Sequence, residues 1–176
     1  MPAYYVYLIS SLPVLNFAGR SPFSLQEFLV RCKNLIPGEE FEILSRALSQ
    51  EAVISPAAQN PVLKQWIIFE VALRNELVKA RAARKKIDPA KYLRQPDDPQ
   101  AQISHVAMAA YRSSSILEAE KILDEARWGR LEELSLGHYF DFDYLLIYGL
   151  KLTILERWEK IQKADKQALL TAAVEQ

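Results

Sequence analysis

The sequence predicts an all-α protein, and three observations carry that prediction. Apolar residues recur at helical spacing in several separate stretches, helix-start signals stand directly before those stretches, and glycine is scarce, at five of 176 residues. A chain of this length encloses one sizeable core, so residues 1–176 are expected to form a single-domain bundle of six to eight helices.

The first element is the ambiguous one. Residues 4–12 are apolar and tyrosine-rich with little alternation, which leaves a short N-terminal strand and a helix both open, and Pro13 ends the element in either case. Ser24-Leu25-Gln26-Glu27 reads as a capping box, after which Leu25, Phe28, Leu29 and Cys32 follow at helical spacing. Pro37 suits the first turn of the next helix, whose stripe is Phe41, Leu44, Ala47 and Leu48, and Ile36 joins the two as a hairpin. Residues 49–59 lack a stripe and contain Pro56, as a crossover loop would.

Asn60-Pro61 repeats the cap-plus-proline signal and starts the longest helix, to about Ile87. Its first half, with Trp66-Ile67-Ile68-Phe69 and Val71-Ala72-Leu73, is apolar nearly all round, the pattern of a helix surrounded by others, and its second half is basic. Asp88-Pro89 starts a short turn through Leu93, and residues 95–99 break the chain again. A helix pair is expected at about 99–111 and 114–135, with Gly129 as a soft point and Gly137 as a C-terminal cap. Asp141 or Asp143 caps a last long helix from Tyr144 to about Gln162, followed by a separate amphipathic turn at Ala168-Leu169-Leu170. Helices 60–87 and 142–162 are expected as the central pair of the bundle.

Charge and composition narrow the function. Lys plus Arg equals Asp plus Glu at 22 each, so no global field draws the chain to nucleic acid or an anionic membrane, and any electrostatic partner meets a local patch. One cysteine, Cys32, excludes an internal disulfide framework and fits a reducing, cytoplasmic setting. The amino end lacks the cationic start and cleavage site of a signal peptide, and the longest apolar stretch, Tyr144 to Leu155, is interrupted by Lys151 and falls short of the ~20 residues of a membrane span.

Catalytic constellations are weak. The sequence has no glycine-rich phosphate loop, nucleophile elbow or Cys-x-x-Cys pair, so no enzyme and no cofactor are expected. Cys32 with His105 or His138 offers a nucleophile and a base, but Cys32 falls on an apolar helix face, where a thiol acts as a small hydrophobe. His138, Asp141 and Asp143 offer a nitrogen and two carboxylates to a metal, against the simpler reading of an aspartate N-cap. The acidic stretch with Glu118, Glu120, Asp124, Glu125, Glu132 and Glu133 is interspersed with Lys121, Arg127 and Arg130, as a solvated, self-compensating face would be.

The one charge concentration is basic. Lys79, Arg81, Arg84, Lys85, Lys86, Lys91 and Arg94 face a single acid, Asp88, in this interval. Pairing with the acidic 118–133 stretch or with an acidic protein is the first reading, and a polyanion or nucleic-acid-binding adaptor is the second. Glu70 and Arg74, spaced i,i+4 in the most apolar stretch, are expected as an ion pair at the core edge or as a contact kept for a partner.

Several segments together carry a resemblance: Tyr4-Tyr5-Val6-Tyr7-Leu8-Ile9-Ser10-Ser11-Leu12-Pro13, Trp66 to Phe69-Glu70 with Leu73-Arg74-Asn75, Phe140-Asp141, Tyr148-Gly149-Leu150-Lys151-Leu152 and Leu155-Glu156-Arg157-Trp158. They resemble a bacterial family encoded beside V-type ATPase subunits. The Tyr-Tyr start and the Leu-Arg-Asn element are also similar to the socket subunit of V/A-type rotary ATPases, the all-helical piece that joins the central stalk to the membrane ring. The chain is far shorter than a full socket subunit. The resemblance implies a non-catalytic component or assembly factor that binds V-type ATPase subunits, at the central stalk or the peripheral membrane parts, on the inner face of the membrane. The resemblance carries over no binding residues; from the charge pattern, Lys79, Arg81, Arg84, Lys85, Lys86 and Lys91, with Glu70 and Arg74, are the candidate partner-binding set.

Overall fold

Local signals set most helix starts. A computed structural model describes residues 4–49, 60–95 and 101–174, with side chains through residue 164. Among these residues lie seven α-helices, one 3-10 turn and no strand, so the protein is all-α. The helices are α1 (Tyr5–Ser10), α2 (Leu25–Lys33), α3 (Gly38–Leu48), α4 (Pro61–Lys85), α5 (Ala101–Arg112), α6 (Ile116–Leu134) and α7 (Phe142–Val174). The crossover expected at 49–59 and the break at 95–99 fall almost wholly outside the described residues.

The described residues form two compact units, one drawn from 1–54 and 135–176 and the other from 55–134. The long helices expected to pair with each other, α4 and α7, therefore belong to different units, and each organises its own. In the first unit α2 and α3 pack on each other and on α7. In the second, α4 packs on α5 and α6, which pack on each other.

The first unit resolves the ambiguous amino end as a helix. A helical repeat places Leu8 and Ile9 on the buried side and leaves Val6 and Tyr7 exposed, a division that strict alternation would not give. Tyr4 N–H donates to the Leu35 carbonyl, and the Tyr5 hydroxyl donates to the Glu40 carboxylate. Ser24 Oγ accepts from Glu27 N–H at 3.1 Å, which is the forward half of the capping box. Glu27 itself pairs with Arg31 at 2.7 Å. Two acids of α7 hold the approach to α2: Glu156 accepts from Leu25 N–H and Glu159 from Ser21 N–H. A carboxylate there also meets the positive end of the α2 dipole. Pro37 is the N-cap of α3 rather than its first residue, since its extended ψ of 146° precedes the first helical turn.

The core of this unit is built from Phe28, Cys32, Leu44, Leu145, Leu146, Leu152 and Leu155, all almost completely buried. Gly149 lets α7 approach the α2–α3 hairpin, because a Cβ there would lie 2.7 Å from Leu48 Cδ1 and 3.1 Å from Phe28 Cε1. Its neighbour Tyr148 packs beside Phe28, with ring centroids 5.3 Å apart, and donates to the Pro13 carbonyl at 3.0 Å. α7 continues through the turn expected at Ala168-Leu169-Leu170 as one helix, since no proline or glycine follows Gly149 to stop it.

In the second unit Asn60 caps α4 by accepting from Leu63 N–H at 2.8 Å, with Pro61 at the first helical position. Ala72, Leu73, Ile103, Ala110 and Leu123 form its core. The apolar run Trp66–Phe69 is half-buried rather than enclosed, and the Trp66 and Phe69 rings stack at 5.9 Å. Gly137 has φ +90° just beyond α6, the left-handed cap its position predicts.

Candidate functional site

The basic interval is built by the end of α4 and the segment that returns along it. α4 stops at Lys85, and Lys86 takes φ 54°, a left-handed cap more often given to glycine. The cap is closed by Ile87 N–H donating to the Ala82 carbonyl at 3.1 Å. Asp88 Oδ1 then accepts from Ala90 N–H at 3.0 Å and starts the 3-10 turn Ala90–Tyr92.

The return segment is fastened by the Leu73-Arg74-Asn75 element. Leu73 is buried in the core, and the Asn75 amide bonds both backbone groups of Arg94. The Arg74 guanidinium reaches the Tyr92 carbonyl at 3.5 Å. Desolvation, and then the neighbouring Arg94 charge, lower the Arg74 pKa, so the two cations lie close together.

Arg81, Arg84, Lys85, Lys86 and Lys91 stand exposed on this frame, with Ile87 and Tyr92 about half exposed among them. Among the described residues none of those five cations forms an ion pair. Lys79 is different: it is half-buried and pairs with Glu76 at 3.0 Å, so it leaves the exposed set. The acidic stretch does not neutralise the five. Lys121 pairs with Glu125 and Arg130 with Glu133 inside α6, and Glu132 accepts from the Trp128 indole.

The expected Glu70–Arg74 pair does not form. Glu70 instead accepts from Arg127 Nε at 2.8 Å, and Arg127 Nη1 donates to Asp124 at 2.9 Å. Asp124 is 0% exposed, so this acid of α6 is not solvated as the charge pattern suggested. A planar guanidinium can serve two carboxylates at once, and Arg127 does so from the neighbouring helix while Arg74 turns to the return segment. Burial alone would lower the Arg127 pKa, but the charges and hydrogen bonds of Glu70 and Asp124 move it upward. Sequence reasoning missed Arg127 and Asn75. An asparagine inside an apolar helical run was the available signal, because a buried amide has to find partners.

Of the remaining candidates, all but His105 lie in the first unit. His138, Asp141 and Asp143 do come together, each offering one ligand atom within 4.8 Å of the others. His138 Nδ1 lies 2.6 Å from Asp141 Oδ2 and 3.6 Å from Asp143 Oδ2. Asp141 Oδ1 accepts from Tyr144 N–H at 2.9 Å and so caps α7, whose positive end opposes a cation at the same spot. Burial, followed by the Asp143 charge, raises the Glu40 carboxyl above its ordinary range. Cys32 is 0% exposed, and burial pushes its thiol up to about 12, which removes thiolate at neutral pH. His105, its other suggested base, is exposed on α5.

The fold and this surface define an all-α protein that presents an exposed cationic face with apolar side chains set into it. Residues 101–172, which take in α5, α6 and most of α7, match the model of a family described as a protein of unknown function (DUF2764). No curated protein and no solved structure matches the chain. The matched span leaves out α4 and the whole cationic face.

Proposed function

We propose that the chain is a non-catalytic helical component or assembly factor of a V-type ATPase, which holds a partner subunit through the cationic face of residues 81–94. The observation that carries the binding surface is the set Arg81, Arg84, Lys85, Lys86 and Lys91, exposed and without ion pairs among the described residues. The partner's identity rests on the sequence resemblance to the family encoded beside V-type ATPase subunits.

The end of α4, a left-handed cap and the Asn75 clamp hold these cations on rigid backbone, so little order has to be gained on binding. Exposed cations of one sign raise the rate of encounter with an acidic surface, and Ile87 and Tyr92 supply apolar area once it docks. The mechanism is geometric: the face holds a neighbouring subunit in register, and nucleotide hydrolysis belongs to other chains. No described helix is long and apolar enough to cross a membrane. In this reading, attachment at the cytoplasmic face runs through the complex.

The test is native recovery of the tagged chain from its own cells. Co-purification of V-type ATPase subunits supports the reading, and recovery of none at low salt overturns it. The same face is chemically suited to a polyanion. Binding to a nucleic-acid duplex with a steep salt dependence, and no ATPase subunit recovered, would move the assignment there.

A further inference from the structure

α6 carries a glycine inside its C-terminal half although glycine costs a helix interior about 1 kcal/mol against alanine. Gly129 faces open space, since a Cβ built there would meet no atom within 4 Å. That space belongs to a half-enclosed cavity of about 300 Å³ within the 55–134 unit. This is the lower end of the range typical of small-molecule sites. Ile68, Phe69 and Leu73 of α4 and Ile103 and Val106 of α5 make apolar walls.

Of the polar lining residues Gln65, Gln102, Arg130 and Glu133, two gather on the one cation. Arg130 Nη1 donates to Glu133 at 2.8 Å and Nη2 donates to Gln65 Oε1 at 3.2 Å, so its guanidinium is held in place while further N–H donors remain. The Glu133 side chain is 61% exposed and Arg130 30%. An exposed carboxylate loses little by turning to water, and a ligand carboxylate can take its place on the guanidinium.

We infer that this cavity binds a small amphipathic carboxylate, with an aliphatic or aromatic body against Gly129 and the α4–α5 walls and its carboxylate on Arg130. The site uses none of the residues of the 81–94 face, so either can fail without the other.

Calorimetric titration of the full chain with decanoate, and with decanol as the uncharged control, tests it. Saturable one-site binding of decanoate, tighter than decanol, is expected. Gly129→Leu fills the cavity and improves the helix, so it should keep the helical circular dichroism and raise the melting temperature while weakening decanoate at least about tenfold. Arg130→Gln should weaken decanoate by a similar factor and leave decanol unchanged. Absence of saturable decanoate binding, or equal binding by the folded Gly129→Leu variant, would overturn the site. Equal affinity for decanoate and decanol would overturn the carboxylate assignment.

Discussion

Asn75 holds the backbone of Arg94 at both ends of its amide: Nδ2 donates to the Arg94 carbonyl at 2.8 Å, and Arg94 N–H donates to Oδ1 at 2.9 Å. The side chain thus does what a neighbouring strand would do, from inside a helix and at 0% exposure. It ties the return segment of the cationic face to α4. Asn75→Ala should cost about 1–3 kcal/mol in urea denaturation, because it leaves two backbone groups to find other partners. Trypsin should also cut the variant faster between Lys85 and Arg94. Unchanged stability and an unchanged cleavage rate would show that the clamp does not hold this segment.

Arg127 bridges Glu70 and Asp124 within the second unit. Arg127→Met takes the guanidinium away from the fully buried Asp124 and the half-buried Glu70 and should destabilise the fold by about 3 kcal/mol. Replacing Glu70 and Asp124 with leucine in the same chain should recover part of that loss, since part of the damage comes from carboxylates that no longer face the guanidinium. Thermal denaturation of the single and triple variants measures both.

Two helical glycines should respond in opposite directions. Gly129→Ala meets open space and should gain up to about 1 kcal/mol from helix propensity. At Gly149 the same methyl group would press on Leu48 and Phe28, both in the core. The overpacking cost of about 1–3 kcal/mol there outweighs the propensity gain. Parallel melting curves of the two variants decide it.

Cys32 should resist thiol reagents in the native state at pH 8 and react at once on unfolding, a contrast that a thiol-reactive dye reads directly. Its pKa rises from 9.0 to about 12 on folding. Above pH 9 the unfolded chain releases this proton while the folded chain keeps it, so the unfolded state binds fewer protons. Stability contributed by this group therefore falls as pH climbs from 9 towards 12. Cys32→Ala should flatten that part of the pH profile.

Features with local causes were legible in the sequence. Ser24, Asn60 and Asp141 cap their helices as their spacing predicts, because an N-cap needs only the next three residues. The α1 helix was not, because residues 4–12 are apolar nearly throughout and the division between buried Leu8 and Ile9 and exposed Val6 and Tyr7 shows only in the packed structure. The partner of Glu70 was not, since an i,i+4 rule sees one helix and Arg127 arrives from another. Nor was the buried state of Asp124, which a charge count over α6 treats like its exposed neighbours. In the cationic face, the positions of Arg81, Arg84, Lys85, Lys86 and Lys91 were readable from composition. The removal of Lys79 by Glu76, and the clamp that holds the segment, needed the packed structure.

The proposal that this face engages an acidic subunit of a V-type ATPase is tested most directly by native pull-down of two tagged chains, the wild type and Arg84→Ala/Lys85→Ala/Lys86→Ala. These three side chains are exposed, so the variant should keep the wild-type circular dichroism and melting temperature. The account predicts that the wild type recovers V-type ATPase subunits at low salt and loses them as salt rises, while the variant recovers them at least about tenfold less. Equal recovery by the variant would contradict the assignment of the face, and recovery of no ATPase subunit by the wild type would contradict the function itself.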